Sequence, residues 1–275
     1  MITPETTTTD TITTDTITTD TITTDTISPL RGAVTLAGAE ARLLVRNRVV
    51  ATTALVMPLA LGGLLALNAD GLTRGGWAGA AALQIIAMLG LAVYAGATTS
   101  LTARRQALYL KRLRSGELPD AAILAGLLGP FLALGALQAI LLLGILVALG
   151  APPPTNVALL ALAVLGGSVV CCVAAAVTSG LTRSAETAQL TTTPLFVAII
   201  AGGIWVITTA PAEVTARMLA TPGGALADLV RRGYSGDGPL LDQLSGALPA
   251  IGFLAAWVVI GVVAATRTFR WDPRR

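Results

Sequence analysis

The chain has 275 residues and a formal net charge of +3, with 54% hydrophobic residues, 12% charged residues and a mean hydropathy of +0.76. A soluble domain carries about 25% charged residues, so this composition excludes an ordinary soluble globule and predicts an integral membrane protein. The sequence contains no histidine and its one lysine, Lys111, does not follow a glycine, which excludes His-dependent zinc sites, histidine-activated nucleophiles and a Walker A loop for ATP.

The first 28 residues form a low-complexity segment in which the unit Thr-Ile-Thr-Thr-Asp occurs at 11–15, 16–20 and 21–25. Isolated isoleucines among threonines and aspartates bury too little surface to offset the entropy of ordering, so we expect residues 1–28 to be a disordered tail. The segment lacks the basic start and the apolar stretch of a secretory signal peptide, and it is not expected to act as one.

Residues 29–48 are expected to form an amphipathic helix that lies at the membrane surface and leads into the first span. On a helical wheel Leu36 and Leu43 share one sector, while the arginines lie on the other side, where they can reach lipid phosphates. Glu40 falls within the apolar sector, which predicts a partner for its carboxylate, for example a basic residue of a neighbouring loop. A plain membrane anchor is the alternative. The candidate residues of this helix are Glu40, Arg42, Arg46 and Arg48.

Five stretches of the remaining sequence are free of charged residues and long enough to cross a membrane, which takes about 20 residues. One uncharged window, 121–182, is too long for a single helix and is divided by the Gly-Ala-Pro-Pro-Pro-Thr-Asn segment at 150–156. We therefore expect an all-α membrane domain over 49–267, with six spans and both termini on one side. The predicted spans are 49–67, 77–101, 121–149, 157–180, 188–208 and 248–267.

The basic residues indicate the orientation of these spans. Fourteen of the 18 lie in segments that are cytoplasmic if the N-terminus is inside the cell, and four lie in the outer segments. This bias follows the positive-inside rule and predicts a protein of the cytoplasmic membrane with both termini, including the tail 268–275, in the cytoplasm. Arg231 and Arg232 fall in the outer stretch 208–247, where we expect them to be solvated; attraction of anionic headgroups is the alternative.

The predicted spans contain polar residues but no acidic ones. Proton or ion coupling within the bilayer usually employs an ionisable side chain at membrane depth, so a proton antiporter and an intramembrane enzyme are both disfavoured. Hydrogen bonding between helices is the ordinary role of such neutral residues, and lining a path for an amphiphilic substrate is the alternative. The candidates for that path are Gln84, Tyr94, Thr98 and Gln189.

Residues 102–119 are expected to form a short amphipathic helix between the second and third spans, which Gly116 and Pro119 end and after which Asp120 caps the next span. Topology accounts for the basic residues on one side of this helix. It does not require the apolar residues on the other side, which predict that a cytoplasmic partner docks here. The basic side contains Arg104, Arg105, Lys111 and Arg112, and the other side contains Gln106, Tyr109, Leu110 and Leu113.

These features together resemble a known family over residues 30–275. Glu40 and the Arg-Asn-Arg run at 46–48 precede a first span that contains Pro58. An arginine pair at 104–105 then leads to Leu-Lys-Arg-Leu-Arg at 110–114, and the chain ends in Arg-Thr-Phe-Arg-Trp-Asp-Pro-Arg-Arg. On these residues the chain is similar to the membrane subunit of an ATP-binding-cassette (ABC) exporter with a type-2 permease fold, and its ending resembles that of actinobacterial members.

The resemblance implies a role for each segment. Residues 29–48 would be the elbow helix, and residues 102–119 would be the coupling helix, which fits a cleft on a separate ATPase subunit. The outer stretch 208–247 would hold short helices over the extracellular mouth. Two copies of the permease, as a homodimer rather than a heterodimer, would pair with two ATPase subunits that bind ATP and magnesium, and this chain itself would hold no cofactor. The implied coupling residues are Arg104, Arg105, Tyr109, Leu110, Arg112, Leu113 and Pro119.

The function implied by the resemblance is export of a hydrophobic or amphiphilic compound, such as a drug, an antibiotic or a lipid, driven by ATP hydrolysis on the partner. Under this hypothesis Tyr109, Leu110 and Leu113 dock the ATPase, and the arginines orient it. A non-transport membrane component of a sensor or assembly complex is the alternative, and it would have no ATPase partner. The chain is not expected to be an enzyme, to bind a metal or to bind nucleic acid.

Overall fold

The computed structural model describes residues 28–46, 56, 59–60, 62–64, 76–236, 239–269 and 271. Across these residues the chain is helical with connecting turns and contains no β-strand. Four predicted features lie wholly or largely outside the described residues. They are the tail 1–28, Arg48, the first predicted span at 49–67 and the tail 268–275.

Five of the described helices are long and apolar enough to cross a membrane. They are the helices Gly76–Gln106, Asp120–Ala148, Val157–Leu181, Ala188–Thr208 and Leu241–Thr268. This agrees with an all-α protein embedded in a membrane, and the span at 49–67 stays a prediction. The helices are α1 (Pro29–Arg46), α2 (Gly76–Gln106), α3 (Tyr109–Arg114), α4 (Asp120–Ala148), α5 (Val157–Leu181), α6 (Ala188–Thr208), α7 (Ala216–Leu219), α8 (Gly224–Ser235) and α9 (Leu240–Thr268).

The observed bounds of α4, α5 and α6 match the predicted spans to within one residue, whereas α2 and α9 are longer. The prediction ended the second span at 101 because charged residues follow, but the helix continues to Gln106. The predicted last span begins at 248, but α9 starts directly after Pro239 and includes Asp242. Charged residues show where a helix leaves the hydrocarbon of the membrane. The helix itself can continue beyond that point, because its backbone hydrogen bonds do not depend on side-chain charge.

α8 lies inside the bundle, in contact with α2, α5, α6 and α9. Ten of its 12 residues are buried. The predicted outer stretch 208–247 does contain short helical elements, since the turn Pro211–Glu213, α7 and α8 all fall within it. Its last residues, however, belong to α9, and α8 packs among the long helices.

α1 packs along the beginning of α4 through small residues. A Cβ atom on Gly126 of α4 would lie 2.8 Å from the Leu36 side chain, and one on Gly129 would lie 3.3 Å from Ala37. Glycines in helix interfaces let two backbones approach closely, as they do in membrane helix pairs. Leu36 and Ala37 of the predicted apolar sector therefore face α4, whereas Leu43 of the same sector is 56% exposed. The helix is observed over Pro29–Arg46.

The middle of α2 is a π-helical segment, Leu89–Ala95, which widens the helix for about two turns. Around it α2 meets three neighbours: Gly90 faces the ring of Phe196 in α6, and Gly96 faces the ring of Phe131 in α4. The Tyr94 hydroxyl lies 3.0 Å from the Thr178 hydroxyl in α5. π-Helical turns are often found where a helix serves a function, and here the segment lies at the centre of the packing.

The N-terminal end of α8 makes a backbone contact that leaves no room for a side chain. A Cβ atom on Gly223 would overlap the carbonyl oxygen of Ile199 in α6. We expect Gly223→Ala to lower the free energy of unfolding by about 1–3 kcal/mol, the usual cost of overpacking, because the backbone must move. Gly252→Ala in α9 is the matched control, since a Cβ there meets nothing within 4 Å. Thermal unfolding in one detergent measures both variants, and equal midpoints would contradict the prediction.

Candidate functional site

Charged side chains gather at the two ends of the bundle. We call one end the basic end; it contains α1, α3, the C-terminal ends of α2, α5 and α9, and the N-terminal ends of α4 and α6. The amide oxygen of Gln106 in α2 accepts a hydrogen bond from the backbone of Ala185, just before α6, over 3.1 Å. The opposite end contains α7, α8 and the remaining helix ends. The sequence-based orientation would place the basic end in the cytoplasm.

Arg105 is buried at the basic end, with 1% of its surface exposed. Its guanidinium donates to the carbonyl oxygen of Ser179 over 2.6 Å and to that of Thr182. These carbonyls belong to the C-terminal end of α5, where the last four carbonyls of a helix lack intrahelical donors. Arg105 therefore joins α2 to α5, and the prediction that it lies on an exposed basic side of a docking helix is wrong.

Glu40 of α1 is paired, as its position in the apolar sector predicts. Its carboxylate is 1% exposed and accepts a hydrogen bond from the guanidinium of Arg104. The partner comes from the end of α2 rather than from a loop. The same guanidinium lies 5.5 Å from the ring centroid of Tyr109, within the range of a cation–π contact. Burial, together with the nearby Glu40 carboxylate, raises the pKa of Tyr109. These three side chains connect α1, α2 and α3.

The predicted continuous helix over 102–119 is interrupted at residues 107–108. α2 ends at Gln106, Leu108 adopts a left-handed conformation with φ of 57°, and α3 is a separate helix. The guanidinium of Arg112 donates to the carbonyl oxygen of Ala107 over 3.1 Å, which supports the turn. Since a non-glycine residue with positive φ is uncommon, nothing in the sequence signals this break.

The break decides which side chains of α3 face outward. Leu110 is fully buried and Leu113 is half-buried against the core. Leu110 is therefore not available for docking, contrary to the prediction. Leu108 is 47% exposed, and Lys111 and Arg112 are exposed as well. We call Leu108, Lys111 and Arg112 the α3 surface; no pattern in the sequence marks Leu108 as part of it.

The connection from α3 to α4 is held by exposed charges. Arg114 forms an ion pair with Asp120 over 3.3 Å, and its guanidinium lies 5.2 Å from the ring of Trp271 after α9. Asp120 was expected to cap the third span, but Pro119 occupies the N-cap position and Asp120 lies in the first turn. Pro119 is exposed, as expected of a residue at the surface of this loop.

The remaining predicted residues of the elbow helix lie on its exposed side. Arg42 and Arg46 are both exposed on α1, and Arg48 lies outside the described residues. Their exposure leaves these two guanidiniums free to contact a membrane surface or another subunit. Their proposed contact with lipid phosphates stays a prediction.

The four candidates for a substrate path lie in different surroundings in the part of the chain that the structure describes. Gln84 is buried and donates to the carbonyl oxygen of Gly62 over 2.5 Å. Tyr94 contacts Thr178 as described above, and the hydroxyl of Thr98 donates to the carbonyl oxygen of Tyr94 over 2.8 Å. Gln189 is exposed near the basic end. Gln84 and Tyr94 thus hydrogen bond between helical segments within one chain, the ordinary role considered for such residues.

A second charged cluster lies at the opposite end, on one face of α8. Asp228 is 1% exposed, and its Oδ2 atom accepts a 2.6 Å hydrogen bond from Nε of Arg232. Arg231 donates from Nη1 to the carbonyl oxygens of Val206 over 3.0 Å and Thr209 over 2.8 Å. Because positions i, i+3 and i+4 share one helix face, these three charged residues form a single cluster that also caps the C-terminal end of α6.

The expectation that Arg231 is solvated is wrong. Its side chain is 8% exposed, and burial lowers its pKa from the ordinary value, an effect that the neighbouring Asp228 carboxylate opposes. The sequence offered a signal for this arrangement, since an aspartate three and four residues before two arginines can pair with both on a helix. Arg232 remains about one third exposed.

The cluster opens onto a cavity of about 310 Å³ between α8, the start of α9 and the turn at Pro211–Glu213. Its wall contains four charged residues and several polar groups. The lining residues are Pro211, Asp228, Arg231, Arg232, Ser235, Gly236, Asp242 and Gln243.

No family model matches the chain, and no curated protein matches it. The resemblance to an ABC permease therefore rests on the sequence features given above.

Proposed function

We propose that the chain is the membrane permease subunit of an ABC exporter, which moves a hydrophobic or amphiphilic compound out of the cell while a separate ATPase subunit hydrolyses ATP. The observation that carries the proposal is α3: a short helix between two long apolar helices, fixed to the bundle on one side and presenting the α3 surface on the other. The protein would lie in the cytoplasmic membrane with the basic end in the cytoplasm.

The α3 surface has properties expected of a docking site. Leu108 has an exposed apolar side chain and a left-handed backbone, and both features cost free energy. Residues with such strained backbones are concentrated at functional sites. Lys111 and Arg112 beside it would attract an acidic partner surface. Docking would thus rest on Leu108, Lys111 and Arg112, with Tyr109, Leu110 and Leu113 holding α3 in place behind them.

The contacts behind α3 suit the transmission of a movement. Glu40 links α1 to the end of α2 through Arg104, and Arg105 links the same end of α2 to α5. A displacement of α3 by the ATPase would therefore reach α1, α2, α4 and α5 together. α4 has 29 residues and is roughly 43 Å long at 1.5 Å per residue, so it can act as a lever across the membrane. The two states of the ATPase must bind α3 differently for ATP hydrolysis to change access.

A second permease subunit completes the proposal. The polar candidates for the substrate path are engaged within one chain or exposed, so a path would lie between two copies of the chain rather than inside one. Exposed apolar side chains on the outside of α4, α6 and α9 would face either lipid or the second copy. Examples are Leu137, Ile140, Leu190, Val197, Val259 and Ile260.

The proposal is tested by looking for a neighbouring reading frame that encodes an ATPase with a Walker A sequence, and by measuring ATP hydrolysis by that ATPase with this chain. We expect the two proteins to purify together and the membrane chain to stimulate hydrolysis. Leu108→Asp should weaken this binding about tenfold or more, equivalent to about 1.4 kcal/mol, because a carboxylate would replace an apolar contact among basic neighbours. Leu241→Asp is the matched control, since Leu241 is also exposed but lies at the opposite end.

Two results would contradict the proposal. Equal stimulation by the Leu108→Asp and Leu241→Asp variants would exclude the α3 surface as the docking site. Absence of any binding or stimulation by the unaltered chain would exclude the permease assignment and favour a membrane component of a sensor or assembly complex.

A further inference from the structure

The basic end carries more positive than negative charge among the described residues. Segments 29–46, 102–120, 181–188 and 265–269 lie at this end and contain ten basic and four acidic residues. Eight of the basic side chains are exposed, against three of the acidic ones, which leaves an excess of five positive charges at the surface. Such an excess attracts an acidic partner.

The α3 surface combines this positive charge with an apolar side chain. Leu108 is 47% exposed, and the exposed residues Lys111 and Arg112 follow it closely in the sequence. Arg112 donates to the carbonyl oxygen of Ala107, a neutral acceptor, so this contact does not balance its charge. Beside the surface lies a groove of about 460 Å³ between α1, α2 and α3, and its wall includes Arg112 and the exposed Leu43. A ligand that supplies an apolar group and an acidic group close together complements this surface.

The sequence before α1 supplies this combination repeatedly. Residues 1–27 lie outside the described residues and contain five acidic residues and no basic residue. The unit Thr-Ile-Thr-Thr-Asp occurs three times over 11–25, and we call these 15 residues the repeats. Each unit places one isoleucine three residues before one aspartate. Each unit thus offers an apolar and an acidic group to a surface that has one exposed leucine and two basic residues.

The repeats are connected to the fold beside α3. The hydroxyl of Ser28 accepts a hydrogen bond from the backbone of Arg31, in the first turn of α1, over 3.3 Å. A Cβ atom on Gly32 would overlap the side chain of Leu118, which lies between α3 and α4. A stretch of 27 residues spans up to about 90 Å when fully extended, so the repeats can reach the α3 surface. Tethering gives an effective concentration on the order of millimolar, at which a contact with a dissociation constant of about 1 mM is half formed.

We propose that the repeats bind the α3 surface of their own chain. Their aspartates pair with Lys111 and Arg112, and their isoleucines pack on Leu108 and Leu43. This contact does not depend on the proposed transport function. Its consequence does: where the ATPase docks on the α3 surface, the repeats compete with it and lower its affinity.

Lys111 makes the contact measurable, because it is the one lysine in the sequence. A carbodiimide joins a carboxylate to an amine that touches it, so an aspartate of the repeats can be coupled to a lysine only at Lys111. In the purified full chain in detergent, we expect peptide mass spectrometry to find Asp15, Asp20 or Asp25 coupled to Lys111. Salt at about 0.5 M should lower the yield at least threefold, because it shortens the screening length to about 4 Å.

Two variants test the two halves of the contact. Arg112→Gln and Leu108→Asn should each lower the yield about threefold, and asparagine is chosen because it tolerates the left-handed backbone at this position. Arg217→Gln is the control, since Arg217 is an exposed arginine at the opposite end. Glycine ethyl ester added to the reaction shows that the carboxylates of the repeats are activated. Aspartates that react with the ester but not with Lys111, or a yield that both variants leave unchanged, would overturn the proposal.

Other occupants of the α3 surface would give different results. In a mixture of isotope-labelled and unlabelled protein, coupling found only between differently labelled chains would show that a second copy supplies the repeats, contrary to the proposal. Coupling that forms in detergent but is absent in vesicles rich in phosphatidylglycerol would show that anionic headgroups displace the repeats, and it would overturn the proposal for the membrane.

The competition with the ATPase has a separate readout. In the full chain, changing Asp15, Asp20 and Asp25 together to asparagine should tighten ATPase binding about two- to tenfold, as expected when the repeats cover half to nine tenths of the α3 surfaces. Unchanged affinity would contradict the competition. An ATPase that fails to bind the unaltered chain would contradict the proposed function alone, because coupling to Lys111 is measured without it.

Discussion

Asp228→Asn should lower the free energy of unfolding by about 3–5 kcal/mol, the usual cost of removing one partner of a buried ion pair. The substitution leaves Arg231 buried without its carboxylate, and the amide that replaces it has one neutral oxygen to accept from Arg232 where the carboxylate had two charged ones. Because Arg231 also caps the end of α6, its displacement would expose the carbonyls of Val206 and Thr209. Thermal or denaturant unfolding of the purified protein in detergent measures the loss.

Two further variants separate the effect of breaking the buried ion pair from the general effect of losing a carboxylate. Asp242→Asn removes an exposed carboxylate from the same cavity and should change stability little. Combining Asp228→Asn with Arg231→Met removes the uncompensated buried charge but also the cap on Val206 and Thr209. A double variant more stable than Asp228→Asn alone would therefore show that the unpaired charge, and not the lost cap, causes most of the loss. An Asp228→Asn variant as stable as Asp242→Asn would show that the buried ion pair contributes little.

The spans could be predicted where the sequence alone fixes both their ends. α6 begins and ends at the predicted residues, 188 and 208, because charged residues flank it on both sides at about the length that crosses a membrane. The same arithmetic gave α4 and α5, where the proline-rich segment at 150–156 separates two helices. These features depend on residue type and spacing, which are properties of the sequence itself.

α8 could not be placed by the same reasoning. Its arginines suggested exposure to water, because an arginine in a loop is ordinarily solvated. Inside the bundle Arg231 is instead stabilised by Asp228 and by carbonyls of α6, which are more than twenty residues away in the sequence. Burial of a charged side chain depends on partners that only the folded chain brings close.

The candidate site at the basic end could likewise be predicted from the sequence only where it does not depend on contacts between distant residues. The apolar sector of α1 predicts that Glu40 needs a partner. That partner, Arg104, is 64 residues away in the sequence, so the helical pattern of α1 alone could not identify it. The predicted docking face failed at Leu110 because the helical wheel assumed one continuous helix. The left-handed residue Leu108 turns the chain, and leucine does not mark such a position as glycine would.

Arg104→Met should release α1 from the bundle, again at a cost of about 3–5 kcal/mol, because it leaves the buried carboxylate of Glu40 without its cation. The effect should be local as well as global. Amide hydrogen exchange over Pro29–Arg46 should accelerate more than exchange in α5 or α6, since α1 is held by this ion pair and by its packing on α4. Hydrogen exchange with peptide-level resolution, together with thermal unfolding, measures both.

Arg114→Met provides the matched control for Arg104→Met, because Arg114 also forms an ion pair at the basic end, but both partners are about half exposed. Exposed ion pairs contribute about 0–1 kcal/mol, so this variant should leave exchange in α1 unchanged. The double variant Glu40→Gln with Arg104→Met removes both charges and should restore most of the protection of α1. Faster exchange in α1 after Arg114→Met, or no gain from adding Glu40→Gln, would mean that α1 is held by packing on Gly126 and Gly129 rather than by the buried charge pair. In that case a displaced α3 would still move α2 and α4, but α1 would not follow through Arg104.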